Sequence, residues 1–387
     1  MTQIYLDNAA TTFPKPPSVP QAVYNYMTTC GSNINRGSYN SAYNAEALVF
    51  ETRELLTELF HGEDPSQVIF TKNITESLNV ILKGLLKSGD HVIVSSMEHN
   101  AVMRPLNQLT TQGVTYSRIT CQSDGTLPLE KLHETVNENT RAVIMTHASN
   151  VCGTILPVQE VGEFCHKHNL LFILDTAQSA GLLPINMEEM HIDALAFTGH
   201  KGLLGPQGIG GFILKRDLNL KIEPLLSGGT GSFSHTEDVP LIMPDRFEAG
   251  TLNIPGIMGL REGLLFLKEK GIENIYRHEM ALTEHFLNDL LPLENEGLIK
   301  IIGKKDIQNR VGVISIQSMK MDPAEVSYIL DDKYGIMTRV GLHCAPSAHK
   351  TLGTFPTGTI RFSFGYFNTD DEVDCALAAL KEVLYGI

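Results

Sequence analysis

Leu170-Leu171-Phe172-Ile173-Leu174, followed by Asp175-Thr176-Ala177-Gln178, is the stretch that decides the fold. Five consecutive apolar residues are too few for a helix and fit a strand buried on both faces, as in a parallel sheet. A carboxylate directly after such a run sits at the carboxyl end of a strand, where open α/β sheets bind ligands. Residues 158–168 before it have helical spacing, and 194–197 after it form another short apolar run. Further out, 67–71, 91–95, 142–146 and 211–214 read as strands. Residues 75–87 read as a helix, with apolar side chains at 78, 81, 82, 85 and 86. Strands alternating with helices predict an α/β fold: a mainly parallel sheet, of the seven-stranded type, sandwiched by helices.

The pattern changes near 255–265. Residues 261–271 and 273–291 read as two long amphipathic helices. A strand at 311–317, a helix near 323–334, a strand at 359–364 and a last helix from Asp370 predict a smaller α+β domain. The expected division is a large cofactor-binding domain over 15–260 and a small domain over 261–387 joined by 1–14. The chain has 387 residues, is 42% hydrophobic and 19% charged, and carries a formal charge of −14, which argues against general binding of nucleic acid or an anionic membrane. Its six cysteines form no Cys-x-x-Cys pair, so neither a zinc ribbon nor a redox dithiol is expected. Residues 1–12 lack an apolar signal core, and a cytoplasmic protein with reduced thiols is the expectation.

Five successive strand ends carry polar groups: Asn73-Ile74-Thr75-Glu76, Met97-Glu98-His99-Asn100, His147-Ala148-Ser149-Asn150, Asp175-Thr176-Ala177-Gln178 and Thr198-Gly199-His200-Lys201. Taken singly, Asp175 reads as a helix N-cap and Lys201 as a surface charge. Together, one strand–helix–strand unit apart, they match what pyridoxal phosphate requires: a lysine for the Schiff base and an aspartate on the ring nitrogen. Thr75 at a helix N-terminus, with Thr198 and His200, offers donors for the phosphate. His99 can stack on the ring and Gln178 can reach the phenolic oxygen. The glycines of 205–211 precede a strand and fail the dinucleotide context, and His166 and His168 have the wrong spacing for a shared metal, so no metal site is expected.

A second constellation is Arg339-Val340-Gly341-Leu342-His343-Cys344-Ala345-Pro346, with Arg361 inside a strand. Most free cysteines are small buried hydrophobes. Cys344 instead lies in a Gly/Pro-bounded loop beside His343 and near Arg339, a setting expected to favour the thiolate. Arg361 offers a planar fork matched to a carboxylate.

These motifs, with Tyr5-Leu6-Asp7-Asn8-Ala9-Ala10-Thr11-Thr12, Asn35-Arg36-Gly37 and Phe247-Glu248-Ala249-Gly250-Thr251, resemble a cysteine desulfurase of the class-V aminotransferase family, fold type I, nearly end to end. The resemblance implies that Lys201 is the Schiff-base lysine, Asp175 the ring-nitrogen partner and His99 the stacking residue. It implies that Gln178 and Asn150 touch cofactor or substrate. Thr75, Thr198 and His200 would hold the phosphate, joined by Thr251 from the second subunit of a homodimer. Arg361, with Arg339 and Asn35, would bind the substrate L-cysteine, and Cys344 would take its sulfur as a persulfide, leaving alanine. The short loop from Cys344 to Arg361 resembles desulfurases that hand sulfur to an accessory acceptor protein. Ile74, Thr198, Val340 and Leu342 depart from the usual residues of these motifs. A selenocysteine lyase, or another class-V lyase, epimerase or transaminase, stands as the alternative.

Overall fold

The computed structural model describes residues 3–34, 37–232 and 235–386. The first part of the chain contributes β1 (Ile4–Tyr5), α1 (Ser18–Asn25), α2 (Asn40–Phe60), β2 (Val68–Thr71), α3 (Ile74–Leu85), β3 (His91–Ser95), α4 (Asn100–Thr110), β4 (Thr115–Ile119), α5 (Glu130–Thr135), β5 (Thr140–Thr146), α6 (Val158–Lys167), β6 (Leu171–Asp175), β7 (Ala194–Thr198) and β8 (Gly210–Leu214). Strands β2 to β8 form one seven-stranded sheet in the order β2-β8-β7-β6-β5-β3-β4. Only β8 runs antiparallel to its neighbours, so the sheet is mainly parallel, as expected. β3, β7 and β8 are buried along their whole length, which is why they read as unbroken apolar runs rather than as alternation.

The remainder comprises α7 (Ile254–Lys270), α8 (Ile272–Asn295), β9 (Ile299–Ile302), β10 (Val313–Ser318), α9 (Pro323–Tyr334), β11 (Ile336–Met337), β12 (Arg339–Gly341), α10 (Pro346–Thr351), β13 (Thr359–Ser363) and α11 (Asp370–Tyr385). β12-β13-β10-β9 make a four-stranded antiparallel sheet. Helix α11 starts at a capping box, Thr369 with Glu372, which stops the chain from continuing as a strand. β1 pairs in parallel with β11, so the N-terminal segment joins this second layer, and Ile4 and Leu6 enter its core beside Phe286 and Phe362. Helix α7 packs along α1 and α2 through Leu260, Leu264 and Leu267, which belong to the core of the large sheet. It therefore crosses the expected boundary at 260/261, because an unbroken helix carries one buried face through to Gly271.

Candidate active site

The ends of the parallel strands converge on one site. β5 and β6 are in register at Thr146 and Asp175, and β6 and β7 at Asp175 and Ala196. Asp175 is the last residue of β6 and is buried. One carboxylate oxygen accepts the N–H of Ala177 at 2.9 Å, so Asp175 shapes a turn and caps no helix. Burial pushes its carboxyl up, against the pull of that N–H and of Lys201.

Lys201 follows β7 in a turn clamped by the N-terminal segment. Thr12 Oγ1 donates to the Lys201 carbonyl at 3.1 Å, and Thr11 Oγ1 to the His200 carbonyl at 3.1 Å. Lys15 Nζ donates to the same His200 carbonyl at 2.7 Å. Burial lowers the Lys201 amine from 10.5 to about 8, with Asp175 holding it up, so a substantial fraction is neutral near physiological pH. An amine in that range can act as nucleophile and as proton carrier.

His99 is the N-cap of α4, and its Nδ1 accepts the N–H of Ala101 at 3.0 Å. The proton of the neutral ring therefore sits on Nε2. Burial, reinforced by Lys201, Arg104, Arg339 and Arg361, lowers His99 to about 4. A neutral, oriented ring is suited to stacking on a flat cofactor. Gln178 donates to the Ala9 carbonyl at 3.0 Å, which ties its amide to the N-terminal segment.

Whether a phosphorylated pyridine ring fits can be judged from polar atoms left without protein partners. Thr198 Oγ1 and His200 Nδ1 are both buried and have none among the described residues. Asn73, not Thr75, caps α3, accepting the N–H of Glu76 at 3.0 Å. The exposed Thr75 is thus left in the first turn, where helix N–H groups face an anion. That helix start lies against β8, for a Cβ on Gly210 would come within 2.8 Å of the Asn73 backbone. The donors suit a phosphate, and the Lys201–Asp175 pair suits an aldehyde-bearing pyridine, so the residues fit the group.

The small domain supplies the other wall. Arg361, on β13, is 2% exposed, beside the buried Phe362 and Phe364. Its Nη2 donates to Asp7 Oδ1 at 2.6 Å and its Nη1 to the Asn150 carbonyl at 3.1 Å, while Nε is buried with no partner among the described residues. Arg339, opposite Arg361 in the sheet register, lies 3.8 Å from Asp7 Oδ2. Asn150 Nδ2 donates to the His343 carbonyl at 2.7 Å, and Asn100 N–H to the Cys344 carbonyl at 2.8 Å. The loops carrying His99 and Asn150 therefore pin the Cys344 loop over the site. Cys344 is exposed, and His343 and Cys344 both adopt left-handed backbone, φ 45° and 57°. Such strain in two consecutive non-glycine residues persists only where surrounding contacts hold it.

One expectation is corrected. His343 does not lend positive charge to Cys344. Its ring is buried, with Nε2 on Thr359 Oγ1 at 2.9 Å, and desolvation drives its pKa far below the ordinary value, so it is neutral. Arg361 and Arg339 are the cations that act on His343, and both are shared with Asp7. Thr251 is exposed and lines a cleft with Lys72, Glu76 and Asn253, apart from Lys201 in the same chain. Asn35 lies outside the described residues.

Several groups carry no role in the sequence reading. Glu98 is fully buried, accepts Ser95 Oγ at 2.5 Å and the Thr146 N–H at 3.1 Å on one oxygen, and is pushed up to about 8 by burial. Glu279, on α8, lines a cavity of about 30 Å³ with Lys201, Gln178 and Thr12, and burial alone raises it to about 8. Asp7 and Lys15 complete the set. Asp7 was legible as a polar residue directly after a short apolar strand; Glu279 reads as an ordinary helix-surface glutamate.

The class-V aminotransferase family matches residues 4–375. Among similar proteins is a probable cysteine desulfurase of Methanothermobacter thermautotrophicus, 35% identical over 384 residues and covering 98% of this chain and 94% of the relative. A cysteine desulfurase of Haloferax volcanii is 32% identical over 385 residues, covering 97% and 88%. Among solved structures, the apo cysteine desulfurase of Thermococcus onnurineus superimposes with a TM-score of 0.91 at 33% identity, covering 100% of this chain and 95% of that one. An Escherichia coli cysteine desulfurase in an S-sulfonic acid form gives 0.86 at 26%, again covering 100% and 95%.

Proposed function

The chain belongs to the class-V aminotransferase family, and on that premise we propose that it is a pyridoxal-phosphate-dependent cysteine desulfurase, converting L-cysteine to L-alanine with the sulfur taken up on Cys344. The observation that carries this reading is an exposed cysteine whose loop is pinned by Asn100 and Asn150 to the same strand ends of the large sheet that carry Asp175 and Lys201. A transaminase needs the lysine and the aspartate but no thiol held there.

The bound cofactor would supply an electron sink for charge developing at the substrate Cα. Lys201 would hold it and, with an amine near pH 8, take up and return the proton at Cα. Asp175 would keep the ring nitrogen protonated, and His99 would cover the ring face. Thr198 and His200 would take the phosphate through the atoms they leave open, joined by Thr75 from the first turn of α3. Arg361 would bind the substrate carboxylate through its unpartnered Nε–H, oriented by Asp7 and the Asn150 carbonyl. Cys344 as thiolate would accept the substrate sulfur, and its exposure would present the persulfide to an acceptor protein.

A homodimer belongs to the same proposal. Tyr24, Met27, Tyr39, Tyr43 and Leu241 are all more than half exposed, apolar surface that a second subunit could remove from water. A second subunit covering it would also give the exposed Thr251 a site to reach. The reaction needs a reduced thiol, which supports a cytoplasmic setting.

The test is Cys344→Ser. The variant should keep the yellow colour of the loaded enzyme and lose alanine formation from L-cysteine. Alanine released at the wild-type rate would remove Cys344 from the reaction.

A further inference from the structure

A relay of buried hydroxyls runs from the large domain to the Cys344 loop. Ser315 Oγ, on β10, lies 2.6 Å from the Val151 carbonyl, which can only accept, so the serine donates. Thr359 Oγ1, on β13, lies 3.2 Å from Ser315 Oγ. The serine has used its one proton, so Thr359 donates to it. Thr359 has then used its own, so His343 Nε2, 2.9 Å from Thr359 Oγ1, must donate in turn. All four residues are buried. The relay therefore selects one tautomer of His343: the ring proton sits on Nε2, and Nδ1 is a bare lone pair, buried without a partner among the described residues. The backbone of His343 is held from the same loop, since Asn150 Nδ2 donates to its carbonyl at 2.7 Å. Between these two anchors the chain turns left-handed at His343 and Cys344, φ 45° and 57°, and the Ala345 N–H closes the turn on the Leu342 carbonyl at 2.8 Å.

We propose that His343 is a positioning residue for sulfur transfer: the relay holds it as a neutral Nε2–H donor, its bond to Thr359 locks the turn that presents Cys344, and it takes no proton from the thiol. The inference rests on the reading that Cys344 takes the substrate sulfur. An imidazolium would need a second donor, on Nδ1, at a buried atom with no acceptor. The charged and titratable groups that act on the ring, Arg361, Arg339 and His349, each disfavour a further positive charge there. Two consecutive non-glycine residues in left-handed backbone need such an external lock.

The test separates the two ring nitrogens. Glutamine places an N–H where histidine carries Nε2, and asparagine where it carries Nδ1. On the holoenzyme, alanine formation from saturating L-cysteine in H343Q should exceed that in H343N by at least about tenfold, because misplacing a reacting group by about 1 Å costs on the order of 100-fold. Both variants should keep the cofactor and the absorbance change on adding L-alanine, since only the Cys344 turn is disturbed. The pH midpoint of iodoacetamide alkylation, followed on the Cys344 peptide by mass, should stay in H343Q where the wild type has it; a histidine that accepted the thiol proton would leave the midpoint raised on its removal. Equal alanine formation in H343Q and H343N, or a raised midpoint in H343Q, overturns the proposal. If either variant fails to hold cofactor, T359S against T359V decides: the retained hydroxyl should again give at least about tenfold more alanine, and equal rates overturn the proposal. C344S separates the underlying reading. Alanine formed by C344S at the wild-type rate removes Cys344 from the reaction and the proposal with it; an inactive C344S beside equal H343Q and H343N strikes the positioning role alone.

Discussion

Arg53→Met is the substitution whose cost can be worked out most directly. Arg53 on α2 and Glu248 form a two-point ion pair at 2.9 and 2.7 Å, with both side chains almost wholly buried. The guanidinium also lies over the Phe70 ring, 4.5 Å from its centre, and donates to the Val68 carbonyl. Glu248 Oε1 accepts the Phe70 N–H at 2.7 Å, so the pair fastens the segment leading to Thr251 onto β2. Methionine fills the volume but strands a buried carboxylate with one neutral donor. Breaking a buried pair in this way costs about 3–5 kcal/mol. Adding Glu248→Gln to the variant removes the stranded charge and keeps an acceptor for Phe70, so the double variant should recover about 2 kcal/mol or more. The chain has no tryptophan, so urea unfolding is followed by far-UV circular dichroism. The reasoning fails if Arg53→Met lies within about 1 kcal/mol of the wild type, or if the double variant is no more stable than the single one.

Two further outcomes follow from buried titrating groups. Glu279 has its carboxyl raised from 4.5 to about 8 by burial, so the native state binds a proton the unfolded chain releases. The stability this gives is present below pH 4.5 and lost as pH rises through about 8. Glu279→Gln should therefore gain on the wild type between pH 5 and 8, by on the order of 1–3 kcal/mol; a constant gap across that range would show Glu279 to be solvated. Lys201 has its amine lowered from 10.5 to about 8, so covalent capture of added pyridoxal phosphate, fixed by borohydride and mapped by peptide mass, should accelerate as pH rises from about 7 to 9. Label on another lysine would exclude Lys201 as the attachment point.

The large sheet was legible because burial leaves a local trace. β3 was read with the bounds it has, and β6 within one residue, since strands covered on both faces are continuous apolar runs. β4 was missed: it is an edge strand whose first four residues, Thr115 to Arg118, are not buried, so its sequence carries little hydrophobic signal. Helix α2 was missed as well; only seven of its 21 residues are buried, and its periodicity is diluted by exposed polar and apolar side chains.

The sequence by itself determined which residues could do chemistry. Asp175, Lys201, His99 and Thr198 each end or follow a strand, and the topology of a parallel sheet obliges strand ends to meet. What each group does there was decided by tertiary structure. His343 and Arg339 looked alike as cations beside Cys344, but burial against Thr359 neutralises the first, and Asp7 shares the second. Asp7 and Arg361 are 354 positions apart, yet 2.6 Å apart in space. Charge state depends on desolvation and on neighbours brought in from distant parts of the chain, and neither has a counterpart in local sequence pattern.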